Sequence, residues 1–238
     1  MGQNIDNTKI SIIIPTLNEA ANIKQAIFTT QPSTNIEVIV VDAGSQDDTV
    51  AIADSLGVKV ISSIPGRAMQ MNAGAMVASG EILLFLHADT RLPIGFDEMI
   101  RTALQQPRVV AGAFTLQIDT TLLGLRLVEW GVKWRSRLFQ MPYGDQAIFI
   151  TTELFKEIGC FPEIPIMEDF ELIQRLKRIG KIAIVSVSVI TSSRRWLQKG
   201  VFTTTLINQI VVIAYLFGVP PAQLRNLYRQ GFQHNRNF

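Results

Sequence analysis

Short apolar runs alternate with mixed, polar-faced stretches through the first ninety residues. Ile10-Ser-Ile-Ile-Ile14 is β-branched and closed by Pro15, which predicts a buried strand that ends there. Pro15–Glu19 follows as a loop, and Asn18 is placed to cap a helix running to about Thr30. Ile36–Val41 predicts a second strand, ending in Asp42-Ala-Gly-Ser45. Ser45 or Asp47 then caps a helix over Asp48–Leu56, and Gly57 stops it. Val58–Ile61 reads as a third strand, and Gly66 opens a helix over Arg67–Ser79 that Gly80 ends. Ile82–Leu86 is the fourth strand, an apolar run that breaks off at His87-Ala-Asp89-Thr90. Strand and helix in strict alternation predict an α/β domain with a parallel, doubly wound sheet.

After Arg91 the pattern changes. Phe96–Gln106 predicts a helix and Val109–Ile118 a strand. Leu122–Met141 sets Arg126, Lys133, Arg135 and Arg137 among Leu, Val and two Trp residues. Such a segment suits an ordinary cover over a cleft, or a basic, aromatic stretch resting on an anionic membrane surface. Asp145–Ile150 predicts a strand followed by a helix to about Ile158; Met167–Ile179 predicts a helix and Ile182–Ile190 a last strand. Val201–Val219 carries no charge and is close to a membrane-spanning length. Thr203, Thr204, Thr205, Asn208 and Gln209 crowd its first half, which favours a buried or interface-packed helix over a spanning one. Pro220-Pro221 ends it. No internal repeat and no long linker divides the chain, so residues 10–229 are expected to form one domain between polar, flexible ends at 1–9 and 230–238.

Composition narrows the class. Of 238 residues, 47% are hydrophobic and 18% charged, which is ample for a core and argues against disorder. A net charge of +2 is too small to favour nucleic acid as a partner. Cys160 is the single cysteine, so an internal disulfide and a cysteine-based zinc site are ruled out and a reducing compartment fits. Its setting, Ile158-Gly-Cys-Phe161, reads as a small buried position. Met1–Asp6 shows neither a basic nor an apolar leader region, so a cytoplasmic protein is expected, lying at the inner membrane face if the basic segment docks there.

The candidate chemistry sits where strands end. In open α/β sheets ligands bind outside the carboxyl ends of the strands. Thr16, Asn18 and Glu19 follow the first strand, Asp42 the second, and His87 and Asp89 the fourth, so a parallel sheet would line them along one rim. A carboxylate and an imidazole two residues apart can hold a divalent cation and through it a phosphate. A turn with Asp89 as a local cap is the plainer alternative. The glycine patterns of a dinucleotide fold and of a P-loop are both absent, which argues against a dehydrogenase and a P-loop kinase. The first loop also lacks the glycine-rich, lysine-containing pattern of a nucleotidylyltransferase. Glu168 and Asp169 stand before a helical stretch, where acids either complement the positive end of the helix or serve as a base.

Ile13-Ile-Pro-Thr-Leu-Asn-Glu19, Val40-Val-Asp-Ala-Gly-Ser-Gln-Asp-Asp-Thr49 and His87-Ala-Asp89 together resemble the family 2 glycosyltransferases, which have the GT-A fold. Gly66-Arg-Ala-Met-Gln-Met-Asn-Ala-Gly74, Tyr143-Gly-Asp-Gln146 and Ser193-Arg-Arg-Trp196 look like a compact bacterial subgroup of these enzymes. The resemblance covers roughly residues 10–229. It implies a Rossmann-like, mostly parallel sheet flanked by helices: a nucleotide-binding half over 10–91, an acceptor half over 92–195 and C-terminal helices over 196–229.

The same resemblance implies a hexosyltransferase-like enzyme that moves sugar from a UDP- or GDP-sugar donor to an acceptor hydroxyl with inversion. Pro15, Thr16, Asn18 and Glu19 would line the nucleotide pocket, Asp42 would contact the base, and Arg67 would lie near the diphosphate. Asp89 would bind Mn²⁺ or Mg²⁺, with His87 as a ligand or a neighbour, because the family's Asp-x-Asp reads His87-Ala-Asp89 here. Asp169 would be the general base and Glu168 its positioning partner. Asp145, Gln146, Arg194, Arg195 and Trp196 would face the donor sugar or the acceptor. The Gln of the processive members' Gln-x-x-Arg-Trp motif is Ser192, which puts processivity in doubt. The acceptor is left open between a small molecule and a lipid-linked one, as is self-association. Rival readings are a nucleotidylyltransferase and a catalytically silent nucleotide-sugar-binding or membrane scaffold protein.

Overall fold

The computed structural model describes residues 7–233, so the expectations for residues 1–6 and 234–238 lie outside the described residues. Residues 7–9 are tied down, with Arg101 Nε donating to the Thr8 carbonyl at 3.1 Å and Lys9 Nζ to Ser79 Oγ at 2.6 Å.

The first half builds the predicted alternation. Strands β1 (Ile10–Thr16), β2 (Ile36–Asp42), β3 (Lys59–Ser62) and β4 (Ile82–Phe85) are joined by helices α1 (Ile23–Phe28), α2 (Thr49–Ser55) and α3 (Arg67–Val77). The second half adds β5 (Thr90–Arg91), α4 (Phe96–Leu104), β6 (Val109–Asp119), α5 (Leu123–Phe139), β7 (Ile148–Thr151), α6 (Thr152–Glu157), α7 (Glu168–Ile179) and β8 (Lys181–Ser192). Three helices close the chain: α8 (Arg194–Lys199), α9 (Val201–Leu216) and α10 (Pro221–Gln233). Among the described residues the sheet has eight strands in the order β3-β2-β1-β4-β7-β6-β8-β5. The first four are parallel; β7 runs antiparallel to both neighbours, β6 and β8 pair in parallel, and β5 is antiparallel to β8.

The long apolar runs are explained by burial of both sheet faces. Ile10, Ile12 and Ile14 turn to one side, packing with Ile23 and Ile27 of α1 and Phe96 and Ile100 of α4. Ile13 turns to the other, with Val41, Phe85 and the α3 residues Met71 and Ala75. Helix α3 approaches β1 so closely that a Cβ at Gly74 would stand 2.5 Å from Ile13 Cγ2. Register pairs Thr16 with Asp42 and Ile13 with Phe85, so β1, β2 and β4 end on one rim as the alternation implies.

Two local expectations are corrected. Asn18 caps no helix: it adopts φ 57°, and α1 starts only at Ile23. Residues 144–146 form a 3-10 turn rather than the start of a strand, because the Gln146 side chain folds back to accept from the Tyr143 N–H at 3.2 Å. The short strand β5 had no sequence signal, since two residues are too few to show a period. Helix α9 is only half covered. Thr204 and Val211 are buried, whereas Phe202, Leu206, Ile213 and Phe217 are exposed. A third apolar cluster, with Met167, Phe170, Val211 and Leu224 at its centre, ties α9 and α10 to the start of α7.

Candidate active site

Two adjoining cavities, of about 420 and 830 Å³, open at the rim where β1 and β4 end. They share Leu17, Arg67, His87, Asp89 and Arg195, so they form one continuous cleft. The smaller part lies between the β1 end (Pro15, Thr16, Glu19) and α8 (Arg194, Gln198). The larger part runs past Tyr143, Asp145 and Asp169 to a wall made by α9 and α10.

The loop after β1 is held rigidly by the loop after β2. Asn18 N–H donates to Ser45 Oγ at 2.8 Å, Glu19 N–H to Thr49 Oγ1 at 2.8 Å, and Gln46 N–H to Asn18 Oδ1 at 2.8 Å. Asp42 accepts from the Gly44 and Ser45 N–H groups and from the hydroxyls of Ser45 and Thr16. Burial alone would raise its pKa, but these bonds outweigh it and hold the carboxyl below its ordinary value. Asn18 and Asp42 therefore brace the loops beside the pocket, and neither is among the residues that line the two cavities. Gln70 on α3, which the sequence reading missed, adds to the brace by donating from Nε2 to the carbonyls of Thr16 and Val41, both at 2.8 Å. A buried glutamine on an otherwise apolar helix face was its only signal.

Charge concentrates where the two cavities meet. Arg194 donates to both Glu19 oxygens, at 2.8 and 3.1 Å, and stands 4.0 Å from Asp89. Burial raises the Asp89 pKa and the Glu19 carboxylate adds to it, against the opposing pull of Arg194 and Arg195. Arg67 forms an ion pair with the buried Glu168, and its Nη1 lies 3.5 Å from His87 Nε2. Burial, then the guanidinium groups of Arg67 and Arg195, press the His87 pKa down to about 3, so the imidazole is neutral. Glu168 thus orients Arg67, and Arg67 in turn faces His87.

Asp169 lies at the end of this chain of contacts. Its Oδ1 accepts from the Phe170 N–H at 2.8 Å, in the first turn of α7, and its Oδ2 accepts from the Gly144 N–H at 2.6 Å. A Cβ at 144 would crowd Asp169 Oδ2 at 3.1 Å and His87 Nε2 at 3.3 Å, so both side chains would have to give by a few tenths of an ångström. Met167 precedes the acidic pair with φ 73°, a left-handed conformation that costs a methionine roughly 1 kcal/mol or more. Asp145 lines the same cavity, with Oδ1 buried and unbonded. Burial raises its pKa, Arg135 opposes the rise, and Asp169 adds to it.

Gln146 and Trp196 are both tied into the packing. Gln146 is fully buried: Nε2 donates to the Phe114 carbonyl, while Oε1 accepts from Arg135, Ser136 and Tyr143. Its amide is spent on joining α5 to the sheet. Trp196 borders the larger cavity while packing into the core with only 9% of its surface exposed. Of the basic pair, Arg195 reaches Tyr228 at 3.2 Å and lines both cavities. Arg135 was missed as a site residue; its guanidinium carbon lies 3.4 Å from the Tyr143 ring centre. The sequence showed four cations in that segment, and only the packing of α5 decides which one turns inward.

The geometry can be set beside known proteins. A family model described as Glycosyl transferase family 2 matches residues 11–154. An uncharacterised glycosyltransferase of Rickettsia prowazekii is 28% identical over 227 residues, which is 88% of this chain and 70% of that protein. A PGL/p-HBAD biosynthesis glycosyltransferase of Mycobacterium tuberculosis is 40% identical over 166 residues, 63% of this chain and 62% of that protein. Among solved structures, a mannosyltransferase from Pyrobaculum calidifontis in complex with GDP-Man and Mn²⁺ superposes with a TM-score of 0.63 at 18% identity, covering 97% of this chain and 71% of that one. The chain spans less than two thirds of the mycobacterial protein, and only 30% of the glycosyltransferase AglE of Haloferax volcanii.

Proposed function

The chain belongs to glycosyl transferase family 2, and we propose that it moves a hexose from a UDP- or GDP-sugar to an acceptor hydroxyl with inversion at the anomeric carbon. One observation carries this reading: a single cleft holds Arg194 at one end and Asp169 at the other, with Arg67, His87, Asp89 and Arg195 at the waist the two cavities share. The smaller cavity takes the nucleotide diphosphate between Pro15, Thr16 and α8, and the larger takes the sugar and acceptor. Asp169 accepts the proton of the acceptor hydroxyl as its oxygen bonds to the anomeric carbon and the bond to the diphosphate oxygen breaks. The Gly144 N–H fixes the Asp169 carboxylate, and Arg67, Arg194 and Arg195 offset the negative charge of the departing diphosphate.

Among the described residues no three His, Cys, Asp or Glu side chains converge to hold a metal ion unaided. Asp89 nonetheless fits Mn²⁺ or Mg²⁺ in the way such ions are held by one or two carboxylates together with substrate phosphates. Burial, then the Glu19 carboxylate, raise its pKa, and a bound cation would favour its ionised form. When bound, the ion would neutralise charge gathering on the leaving diphosphate. His87 turns Nε2 toward Arg67, which favours a neighbouring role over ligation.

The test pairs binding with turnover. UDP or GDP with Mn²⁺ is expected to raise Tm, and Asp89→Asn to abolish the metal-dependent part of that rise. Asp169→Asn is expected to keep the donor-induced shift while losing at least about a hundredfold in transfer or donor hydrolysis, the scale of a general base. Unchanged turnover in Asp169→Asn would remove it as the base. The absence of any nucleotide-induced shift in the parent chain would overturn the reading as a whole.

A further inference from the structure

The cleft accounts for the inward sides of α5 and α9 but not for their outward sides. On α5, Leu123, Leu127, Trp130, Trp134 and Leu138 recur at helical spacing, and all five are exposed. Trp130 and Trp134 stand with ring centres 5.7 Å apart and remain 62% and 48% exposed. On α9 the exposed stripe is Phe202, Leu206, Ile210, Ile213 and Leu216, with no charge between Val201 and Val219. The two helices meet where Gly124 faces Val201. So much apolar surface on one side of a chain this size marks an interface.

The charges identify the occupant. All 20 Asp and Glu residues of the sequence precede residue 172, whereas 10 of the 22 Lys and Arg follow it. Lys133 and Arg137 stand exposed beside the tryptophans on α5, whose acid, Glu129, is engaged by Arg126 and the Ile118 N–H. A helix with Trp and Leu on one face and uncompensated cations along its border is the form that lies in the plane of an anionic bilayer. A second copy docked through the same face would bring like charges together. Neither helix spans: among the described residues no helix is long and apolar enough to cross a membrane.

We propose that the outward faces of α5 and α9 dock the protein on the surface of an anionic lipid bilayer. The other side of α9 supplies Asn208, Val211 and Val212 to the larger cavity, so docking places that cavity one helix diameter from the lipid. The proposal does not rest on the transfer reaction, and vesicle binding survives if the glycosyltransferase mechanism proposed above fails.

The test is co-sedimentation of the full chain with vesicles of phosphatidylcholine, with and without about one-third phosphatidylglycerol. Binding is expected only with the anionic lipid, with a blue shift of tryptophan emission arising from Trp130 and Trp134, since Trp196 is already buried. The variant Trp130→Ser/Trp134→Ser is expected to bind these vesicles at least about tenfold more weakly. Lys133→Glu/Arg137→Glu is expected to lose the preference for anionic lipid. Unaltered circular dichroism and nucleotide-induced Tm shift show that both variants are folded. Failure of the parent chain to bind anionic vesicles overturns the proposal, as does full binding by the tryptophan variant. A lipid-free dimer that the tryptophan variant dissolves also overturns it, assigning the face to a second copy.

Discussion

Asp145 keeps Oδ1 buried and without a hydrogen bond, in a cavity it shares with Asp169. Burial drives its pKa up from the ordinary 3.8; Arg135 opposes the rise, Asp169 adds to it, and Arg195 and Arg67 oppose it further. An acid whose pKa is higher in the folded state makes that state bind more protons, so stability falls as pH rises past the unfolded value. Asp145→Asn is therefore expected to raise Tm at pH 7, by roughly 2–4 °C for each kcal/mol regained in a chain of this size. The gain should vanish as pH falls below about 3.8, where the parent carboxyl is protonated in both states. Calorimetry of both proteins from pH 3 to 7 checks this, and a gain independent of pH would refute it. Transfer activity should fall in the same variant, because Asp145 lines the cavity it shares with the proposed base. This tension was invisible in the sequence. Tyr143-Gly-Asp-Gln146 named a motif there, but two adjacent polar residues gave no hint that Asp145 faces the cleft while Gln146 is locked in the core.

Helices carry the site to the sheet, and their fit to it is unequal. Helix α3 brings Arg67 and Gln70 to the cleft and rests directly on β1, so Gly74→Ala would force Cβ into Ile13. Overpacking of that kind costs about 1–3 kcal/mol. Gly131 in α5 is the contrast: nothing lies within 4 Å of its added Cβ, and the residue sits inside a helix. Gly131→Ala is expected to stabilise by roughly 0.5–1 kcal/mol through helix propensity alone. Chemical denaturation of the two variants checks the opposite signs; two shifts of the same sign would contradict the packing of α3. Helix α9 shows the limit of reading elements from pattern. Its uncharged run correctly marked a helix, yet composition alone could not say that one face walls a cavity while the other is open.

Across the whole molecule, the acids stop at Glu171 while the bases continue beyond it, and the folded cleft gathers Arg67, Arg194 and Arg195 from both parts around the proposed diphosphate position. The smaller cavity, lined by Arg67, Arg194, Arg195 and Lys199 against Glu19 and Asp89, is the basic part of the cleft; such a site speeds the arrival of an anionic donor, and salt screens it over about 8 Å at physiological ionic strength. Raising salt from about 0.05 to 0.5 M is expected to slow donor association several-fold with much less effect on dissociation, as stopped-flow fluorescence would show. Equal effects on both rates would contradict steering. The sequence by itself determined the parallel strands and the rim on which they end. Those features follow from period, turn chemistry and motif spacing, all of which are local in the chain. Tertiary structure alone decided that Glu168 pairs with Arg67 across 101 positions, that Asp42 and Gln146 brace the site, and that Arg135 turns inward. The physical reason is that a side chain's partner, and the solvent it keeps or loses, depend on surfaces brought together only when distant segments pack.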